Sequence, residues 1–523
     1  MQPRLITRPM LAAITLAATI ALLVVLPANG RAEISFRTES GNRPYLFESG
    51  MVLQRGKVVP VWGTATPSVA IRADFVSPVS GLLQSRTTAS SSAGGWVVRF
   101  DNLPVGGPYE VRFFENGESS ASVVLADVLV GDVWLLSGQS NMVLHGPRDG
   151  DAELYPQVRA ITVMHWGQRP SGPAFYFGAE LSDFLDIPIG LVNRAVPDTA
   201  LGHWLPSEVA SDPDPVVQSL FTGCGGEPVN RCLYYDESIR PLERPVETGE
   251  PREGLALRGV VWWQGEKGFD KRAPGEYAHL FPAMMRAWRS NLGQPDLPFV
   301  YNELPSGTGL RWLATRVRTL PSNNRLDDWQ AQQHSMFFRT LAFPLTALMT
   351  SIDLVGGIHP KEFDVYGRRL GDAALGTTYA GEIAPFAYSG PIYESASLEP
   401  AAEGPDEVRI RFRAHTADGL KVGPATAPPG AALQGFALCC NADGKFVFAD
   451  ARIENDDEVV VSDADVPSPT IVNYAIGHTP MWANLFNGND LGAAPFSSAL
   501  QPFVDDDPDG DGFWEPGAYT GIP

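Results

Sequence analysis

The sequence is poor in cysteine, poor in basic residues and without an internal repeat, and each shortage excludes a class of protein. Four cysteines in 523 residues exclude a scaffold held together by dense disulfides. The 39 lysines and arginines are outnumbered by 60 acidic residues, which leaves a formal net charge of −21. Because lysine and arginine dominate phosphate binding, we expect no nucleic-acid partner, and anionic membrane surfaces are equally disfavoured.

Long apolar runs are also missing, except near the first residue. Arg4 and Arg8 precede an almost unbroken apolar run from Met10 to Leu26, and small residues follow as far as Ala32. This layout is typical of a secretory signal peptide over residues 1–32. The alternative is an uncleaved anchor, although a run of about seventeen residues is short for a membrane span. We therefore expect a periplasmic or secreted protein without stable membrane association after signal cleavage.

Strand and helix patterns divide the rest of the chain into zones. Residues 33–125 carry short β-branched and aromatic runs between glycine-rich turns, which predicts a β-sandwich. Residues 126–385 alternate strand-like and helix-like segments, which predicts a parallel sheet with crossover helices. Residues 386–500 return to short strands, and residues 501–523 form an acidic tail. A polar insertion at 205–255, rich in proline and glycine, is of a kind that is usually functional or disordered.

The four cysteines fall into two pairs. Cys224 and Cys232 are eight residues apart within the insertion, and an oxidising compartment would let them form a disulfide. Cys439 and Cys440 are adjacent, a geometry that disfavours an ordinary bridge between them. Free buried thiols are an equal alternative for the second pair.

Three segments place polar side chains where predicted strands end. Ser140 follows a buried strand and Gly138, a place that suits a nucleophile and equally an N-cap serine. Gln264 and Glu266 follow another strand, where an amide can donate to an oxyanion or simply satisfy backbone groups. His359 follows a further strand and is either a general base for a serine or a surface residue.

Together these segments resemble the sequence blocks of the SGNH-hydrolase class, and within it the sialate O-acetylesterase-like carbohydrate esterases. The nucleophile block of that family is matched at Ser137–Met142. Its Trp-Tyr-Gln-Gly-Glu block is matched at Trp262–Glu266, with tryptophan for tyrosine, and its His-Pro block at His359-Pro360. Similar segments extend over roughly residues 45–498. The resemblance implies an α/β fold with an SGNH-hydrolase-like (flavodoxin-like) parallel sheet core, flanked by N-terminal and C-terminal β-domains.

The resemblance also implies roles for individual residues. Ser140 becomes the nucleophile and His359 the general base, and the oxyanion is bound by the backbone N–H of Ser140 and the side chain of Gln264. Further oxyanion or substrate-binding residues are Asn141, Glu266 and Asp198. We therefore expect an exported serine esterase that hydrolyses O-acetyl esters on sugars through an acetyl-serine intermediate, with an acetylated carbohydrate as its partner and no cofactor.

Two departures from the family pattern motivate an alternative. The family usually has an aspartate two or three residues before the histidine, where this chain has Gly356-Gly357. Asp353 is assigned as the acid that orients His359 instead, and Glu266 or a backbone carbonyl are the alternatives for holding the ring. Pro197 lies where a glycine N–H of the family joins the oxyanion hole, and proline has no N–H. Any donor there must be Asp198 or a neighbour. A catalytically degenerate, carbohydrate-binding relative is the alternative reading.

The acidic tail offers only a weak metal site. Asp507, Asp509 and Asp511 alternate ahead of glycine as in a calcium loop. The position that needs a bidentate glutamate is Ala518, so a solvated acidic tail is favoured. No other metal site is expected.

Overall fold

The structure of the chain is a computed structural model. It describes residues 34–36, 46–144, 146–161, 166, 170–221, 223–224, 232–246, 250–266, 276–304, 340, 343–354, 359–424, 430–439, 446–475 and 483–499. Predictions that lie outside these residues concern the signal peptide at 1–32, the acidic tail with Asp507, Asp509 and Asp511, Gly356-Gly357 and Cys440. Within the described part of the chain, no helix combines the length and apolar character needed to cross a membrane.

The N-terminal zone is built of strands that alternate buried and exposed residues. The strands are β1 (Val52–Gln54), β2 (Val59–Thr64), β3 (Ala70–Ser77), β4 (Gly81–Ala89), β5 (Gly95–Phe100), β6 (Gly106–Glu115) and β7 (Val123–Gly138). β4, β3, β6 and β7 are neighbours in one sheet, and β2 pairs with β5 separately. Along β5, Trp96, Val98 and Phe100 are buried between more exposed neighbours, as expected for a sheet with one covered face.

The long strand β7 belongs to two regions at once. Its first part, from Val123 to Val130, pairs antiparallel with β6. From Asp132 onward it pairs parallel with the strands of the α/β core. The two regions therefore share one ten-stranded mixed sheet, and the domain boundary predicted after residue 125 falls inside a single strand. The nucleophile segment stands at the carboxyl end of that strand.

The α/β core has parallel strands in the order β8-β9-β7-β10-β11-β12. Its elements are β8 (Val158–Ile161), α1 (Gly172–Leu185), β9 (Ile189–Asn193), α2 (Pro215–Leu220), β10 (Gly259–Trp263), α3 (Glu276–Asn291), β11 (Phe299–Asn302), β12 (Thr346–Met349) and α4 (Phe363–Thr378). Every residue of β9, β10 and β11 is buried, which is typical of parallel strands covered on both faces. This architecture confirms the predicted fold class.

Part of the insertion packs against the core. Val217, Tyr235 and Leu242 are fully buried within the largest apolar cluster, so these residues are not part of a disordered loop. Cys224 and Cys232 form the predicted disulfide. Cys439 is disulfide-bonded as well, so the free-thiol alternative is wrong for this residue.

The C-terminal zone is a β-domain with its own core. Its strands are β13 (Tyr393–Glu399), β14 (Glu407–Phe412), β15 (Lys421–Val422), β16 (Phe436–Cys439), β17 (Val447–Phe448), β18 (Asp450–Glu454), β19 (Glu458–Ser462), β20 (Ile471–Tyr474), β21 (Leu485–Phe486) and β22 (Phe496–Ala499). They form two four-stranded sheets and one two-stranded sheet. A separate apolar cluster that includes Val408, Val459 and Phe496 fills the space between them.

Candidate active site

A sharp turn at the end of β7 presents Ser140. Gly138 has a φ of +124°, and a Cβ built there would lie 2.0 Å from the carbonyl oxygen of Trp263 on β10. Only glycine fits this close approach of two backbones. Ser140 then opens a 3-10 helix, Ser140–Met142. A residue at a helix start has no acceptor for its N–H within the helix, so this N–H suits an oxyanion.

Ser140 and His359 come together in space. The Ser140 Oγ lies 3.0 Å from the His359 Nε2, although 219 residues separate them in sequence. This is hydrogen-bond distance, and a neutral imidazole with its proton on Nδ1 can accept the serine proton at Nε2. His359 is exposed and Ser140 is partly exposed, so both can reach a substrate from solvent. The arrangement is that of a nucleophile and its general base.

Glu266 fixes the residues on either side of Ser140. Its Oε2 accepts from Gln139 Nε2 at 2.8 Å. Its Oε1 accepts from Asn141 Nδ2 at 2.5 Å and from the Trp263 indole at 2.7 Å. Desolvation raises the pKa of Glu266 to about 7, against the donors from Trp263 and Asn141 that lower it. Glu266 and Asn141, predicted as oxyanion or substrate-binding residues, thus contact each other and set the position of the nucleophile.

Two residues that the sequence analysis missed hold the other end of the short helix. The carbonyl of Met142 accepts from Ser171 Oγ at 2.6 Å and from Asn193 Nδ2 at 2.7 Å. All three residues are buried. Asn193 is the last residue of β9, and a buried amide at the carboxyl end of a strand next to the nucleophile strand is the signal that would have found it.

The loop after β9 docks onto the nucleophile strand. The Val196 N–H donates to the Gly138 carbonyl at 3.1 Å, and Gln264 Nε2 donates to the Thr199 carbonyl at 3.0 Å. Asp198 is exposed and has a φ of +60°, a left-handed conformation that aspartate tolerates better than most residues. Gln264 is buried and joins this loop to β10. The predicted oxyanion roles of Gln264 and Asp198 stay predictions.

Asp353 does not play the part assigned to it from the sequence. Both of its carboxylate oxygens face Arg369, at 2.8 Å and 2.7 Å from the two guanidinium nitrogens. Among the described residues, no carboxylate forms a hydrogen bond with His359. The correction follows from charge, since a guanidinium binds a carboxylate through two parallel hydrogen bonds and an imidazole offers only one.

The Glu266 contacts give a test of the turn. In Glu266→Gln, one end of the new side chain carries N–H groups that face the donor Gln139 or the donors Asn141 and Trp263. We expect kcat to fall by about 10-fold to 100-fold, because small displacements of a nucleophile have effects of this size. Steady-state hydrolysis of an acetyl ester measures it. Glu394→Gln, on an exposed glutamate, is the matched control, and equal kcat in both variants would contradict the role of Glu266.

The same substitution has a pH signature in stability. The pKa of Glu266 is raised from 4.5 to about 7, so the folded state holds this proton more tightly than the unfolded state does. Stability is therefore lost as the pH rises from about 4.5 to about 7. Glu266→Gln has no proton to lose at this position, so its stability should not show this decrease. The unfolding midpoint of Glu266→Gln minus that of wild type should therefore increase as the pH rises from about 4.5 to about 7.

Comparisons with known proteins point to one family. A family model described as "Carbohydrate esterase, sialic acid-specific acetylesterase" matches residues 155–334, which include Gln264 and Glu266 but neither Ser140 nor His359. Human sialate O-acetylesterase is 24% identical over 432 residues, 72% of this chain and 77% of that protein. The mouse enzyme is 25% identical over 448 residues, 72% of this chain and 80% of that protein.

A solved structure adds the fold. The crystal structure of a carbohydrate acetylesterase from Xanthomonas citri has a TM-score of 0.69 and 27% sequence identity, and the match covers 87% of this chain and 99% of that one. The α/β core with its serine–histidine pair defines a carboxylic ester hydrolase of the SGNH class. Within that class, the chain is similar to the sialate O-acetylesterases and to a solved carbohydrate acetylesterase.

Proposed function

We propose that the protein hydrolyses O-acetyl esters on sugars through an acetyl-serine intermediate at Ser140. The single observation that carries the proposal is the 3.0 Å contact between the Ser140 Oγ and the His359 Nε2. The relatives named sialate O-acetylesterase and the solved carbohydrate acetylesterase support acetylated carbohydrate as the substrate class. A degenerate binding protein would not need to keep this pair in contact, which disfavours that alternative.

The reaction proceeds in two halves. In the first, Ser140 Oγ attacks the acetyl carbonyl while His359 Nε2 takes the serine proton. His359 then gives that proton to the departing sugar oxygen, and the acetyl group stays on the serine. In the second half, His359 removes a proton from water, the resulting nucleophile attacks the acetyl carbonyl, and the serine leaves with the proton. The products are the free sugar hydroxyl and acetate.

Negative charge on the carbonyl oxygen needs donors in both halves. The backbone N–H of Ser140 supplies one, at the start of its short helix. The side chain of Gln264, positioned by the Thr199 carbonyl, supplies the second. Each donor of this kind contributes about 10²-fold to 10³-fold in kcat.

A panel of acetylated glycans tests the substrate class. Acetylated sialic acid, xylan and pectin are incubated with the purified protein, and released acetate is measured. We expect release from at least one of them, with more than one turnover per protein molecule. If Ser140 reacts with a fluorophosphonate probe but no glycan releases acetate, the site is an active serine hydrolase for another ester and the carbohydrate proposal fails.

We also propose that the protein is exported to the periplasm or secreted. The basic, apolar and small-residue layout of residues 1–32 supports this, as does the disulfide between Cys224 and Cys232, because disulfides persist in oxidising compartments. N-terminal sequencing of the protein recovered outside the cytoplasm tests the proposal. A mature chain that still begins at Met1 would contradict signal cleavage.

A further inference from the structure

His359 lies on the chain between β12 and α4, and an ion pair closes the base of that connection. Asp353 lies four residues after β12. Its carboxylate accepts hydrogen bonds from Nη1 and Nη2 of Arg369 on α4, at 2.8 Å and 2.7 Å. Arg369 Nη1 also donates to the Thr350 carbonyl at 3.2 Å. Each charged side chain is only 14% exposed, so solvent screens this pair less than a surface pair. Arg369, which follows His359 in the chain, thus binds Thr350 and Asp353, which precede it.

A second contact holds the same upstream segment from the sheet. Glu303 directly follows β11, and its Oε2 accepts from the Ser351 N–H at 2.7 Å. The Ser351 hydroxyl donates to the Glu303 carbonyl at 2.9 Å. Both residues are buried, with exposed fractions of 1% and 0%. Residues Thr350 to Asp353 are therefore fixed on one side by β11 and on the other by α4.

The start of α4 is anchored independently. Phe363, the first residue of α4, lies against Gly172 of α1, where a Cβ would come within 2.2 Å of the phenylalanine ring. Arg148, eight residues after Ser140, pairs with Asp364 at 2.6 Å. The segment after the nucleophile and the segment after the base are thus tied to each other away from the reacting atoms.

We propose that Asp353 and Arg369 are positioning residues for His359. Their ion pair, by closing the base of the connection that carries the histidine, replaces the orienting contact that an acid two or three residues before it would give. The proposal rests on the proposed function, because it takes His359 as the general base. A bidentate arginine–carboxylate pair fixes both distance and orientation. Since a misplacement of about 1 Å can lower a rate by about 10²-fold, such rigidity has a direct effect on proton transfer.

The adjacent arginine provides a matched control. Arg368 lies on the same helix, and it pairs with Glu180 of α1 at 2.5 Å, away from the His359 connection. Arg369→Gln should lower kcat by about 10-fold to 100-fold with KM little changed, and should slow fluorophosphonate labelling of Ser140 to the same extent. Arg368→Gln should leave both rates within about twofold of wild type. An Arg369→Gln variant with wild-type kcat overturns the proposal.

Two further variants keep the test decisive. Arg369→Lys retains the positive charge but loses the pair of parallel N–H donors that arginine offers a carboxylate. Its kcat should therefore lie between those of wild type and Arg369→Gln. This variant replaces Arg369→Gln in the test if the glutamine variant does not fold. The double variant Asp353→Asn with Arg369→Gln should be no slower than the slower single variant, as expected when two residues act as one unit. Additive losses contradict a joint role.

His359→Ala separates this proposal from the proposed function. If His359→Ala is inactive while Arg369→Gln has wild-type kcat, only the positioning role of Asp353 and Arg369 is contradicted, and the proposed function stands. If His359→Ala retains wild-type activity, the histidine is not the base, and both proposals are overturned. Unfolding midpoints are measured for every variant, because a loss of kcat that merely tracks a lost midpoint also contradicts a positioning role.

Discussion

Replacing Ser140 with alanine is expected to lower kcat for an acetyl ester by about 10⁴-fold or more, because removal of a catalytic serine leaves only the donors and binding groups of the site. The change removes one partly exposed hydroxyl that forms a hydrogen bond with His359. The unfolding midpoint should therefore move little. Acetate release under substrate saturation, with protein checked by mass, measures the loss.

Ser137→Ala is the matched control for that experiment. Ser137 lies three residues upstream on β7, is fully buried, and its hydroxyl has no hydrogen-bond partner within the described residues. Its removal should leave kcat within a few-fold of wild type. Residual activity of Ser140→Ala close to that of Ser137→Ala would assign the reaction to another group and end the acetyl-serine mechanism.

Gly138→Ala is expected to have the largest effect on the fold. The new Cβ would lie 2.0 Å from the Trp263 carbonyl oxygen, and the φ of +124° is one that alanine rarely adopts. Relief requires β7 and β10 to separate where Gly138 and Trp263 are paired. We expect a loss of about 3 kcal/mol or more in the free energy of unfolding, with loss of soluble protein and of activity.

A nearby glycine shows what the same change does without the constraint. Gly146 has no atom within 4 Å of its built Cβ and no unusual φ, so Gly146→Ala should shift the free energy of unfolding by about 0.5 kcal/mol at most. Denaturant unfolding of both variants makes the comparison. A Gly138→Ala protein with the stability of Gly146→Ala would contradict the prediction, because it would show that β7 and β10 accommodate the new Cβ without a large loss in the free energy of unfolding.

Much of the core could be predicted from the sequence because its strands are continuous apolar runs. β10, Gly259–Trp263, is the strand that was predicted ahead of Gln264, since a strand buried on both faces leaves a clear pattern. The contact between Ser140 and His359 was implied by the resemblance of three short segments to the sequence blocks of a known family, since each segment alone left its role open.

Other features depend on partners that a local pattern does not reveal. The run of residues that forms β7 shows a strand, but not that its neighbours change from antiparallel to parallel near Val130. Asp353 is the nearest acid upstream of the histidine in sequence, yet it pairs with Arg369, 16 residues away. Nothing in the spacing of charges identifies which cation an acid will meet after folding.

The continuity of β7 has a consequence for how the molecule comes apart. One stretch of backbone carries the antiparallel ladder at one end and the nucleophile turn at the other, with no linker between them. The N-terminal zone therefore cannot behave as a detachable module. Excising it would remove hydrogen-bonding partners from the strand that leads to the reactive serine, so we expect local unfolding of this zone to be accompanied by loss of catalysis.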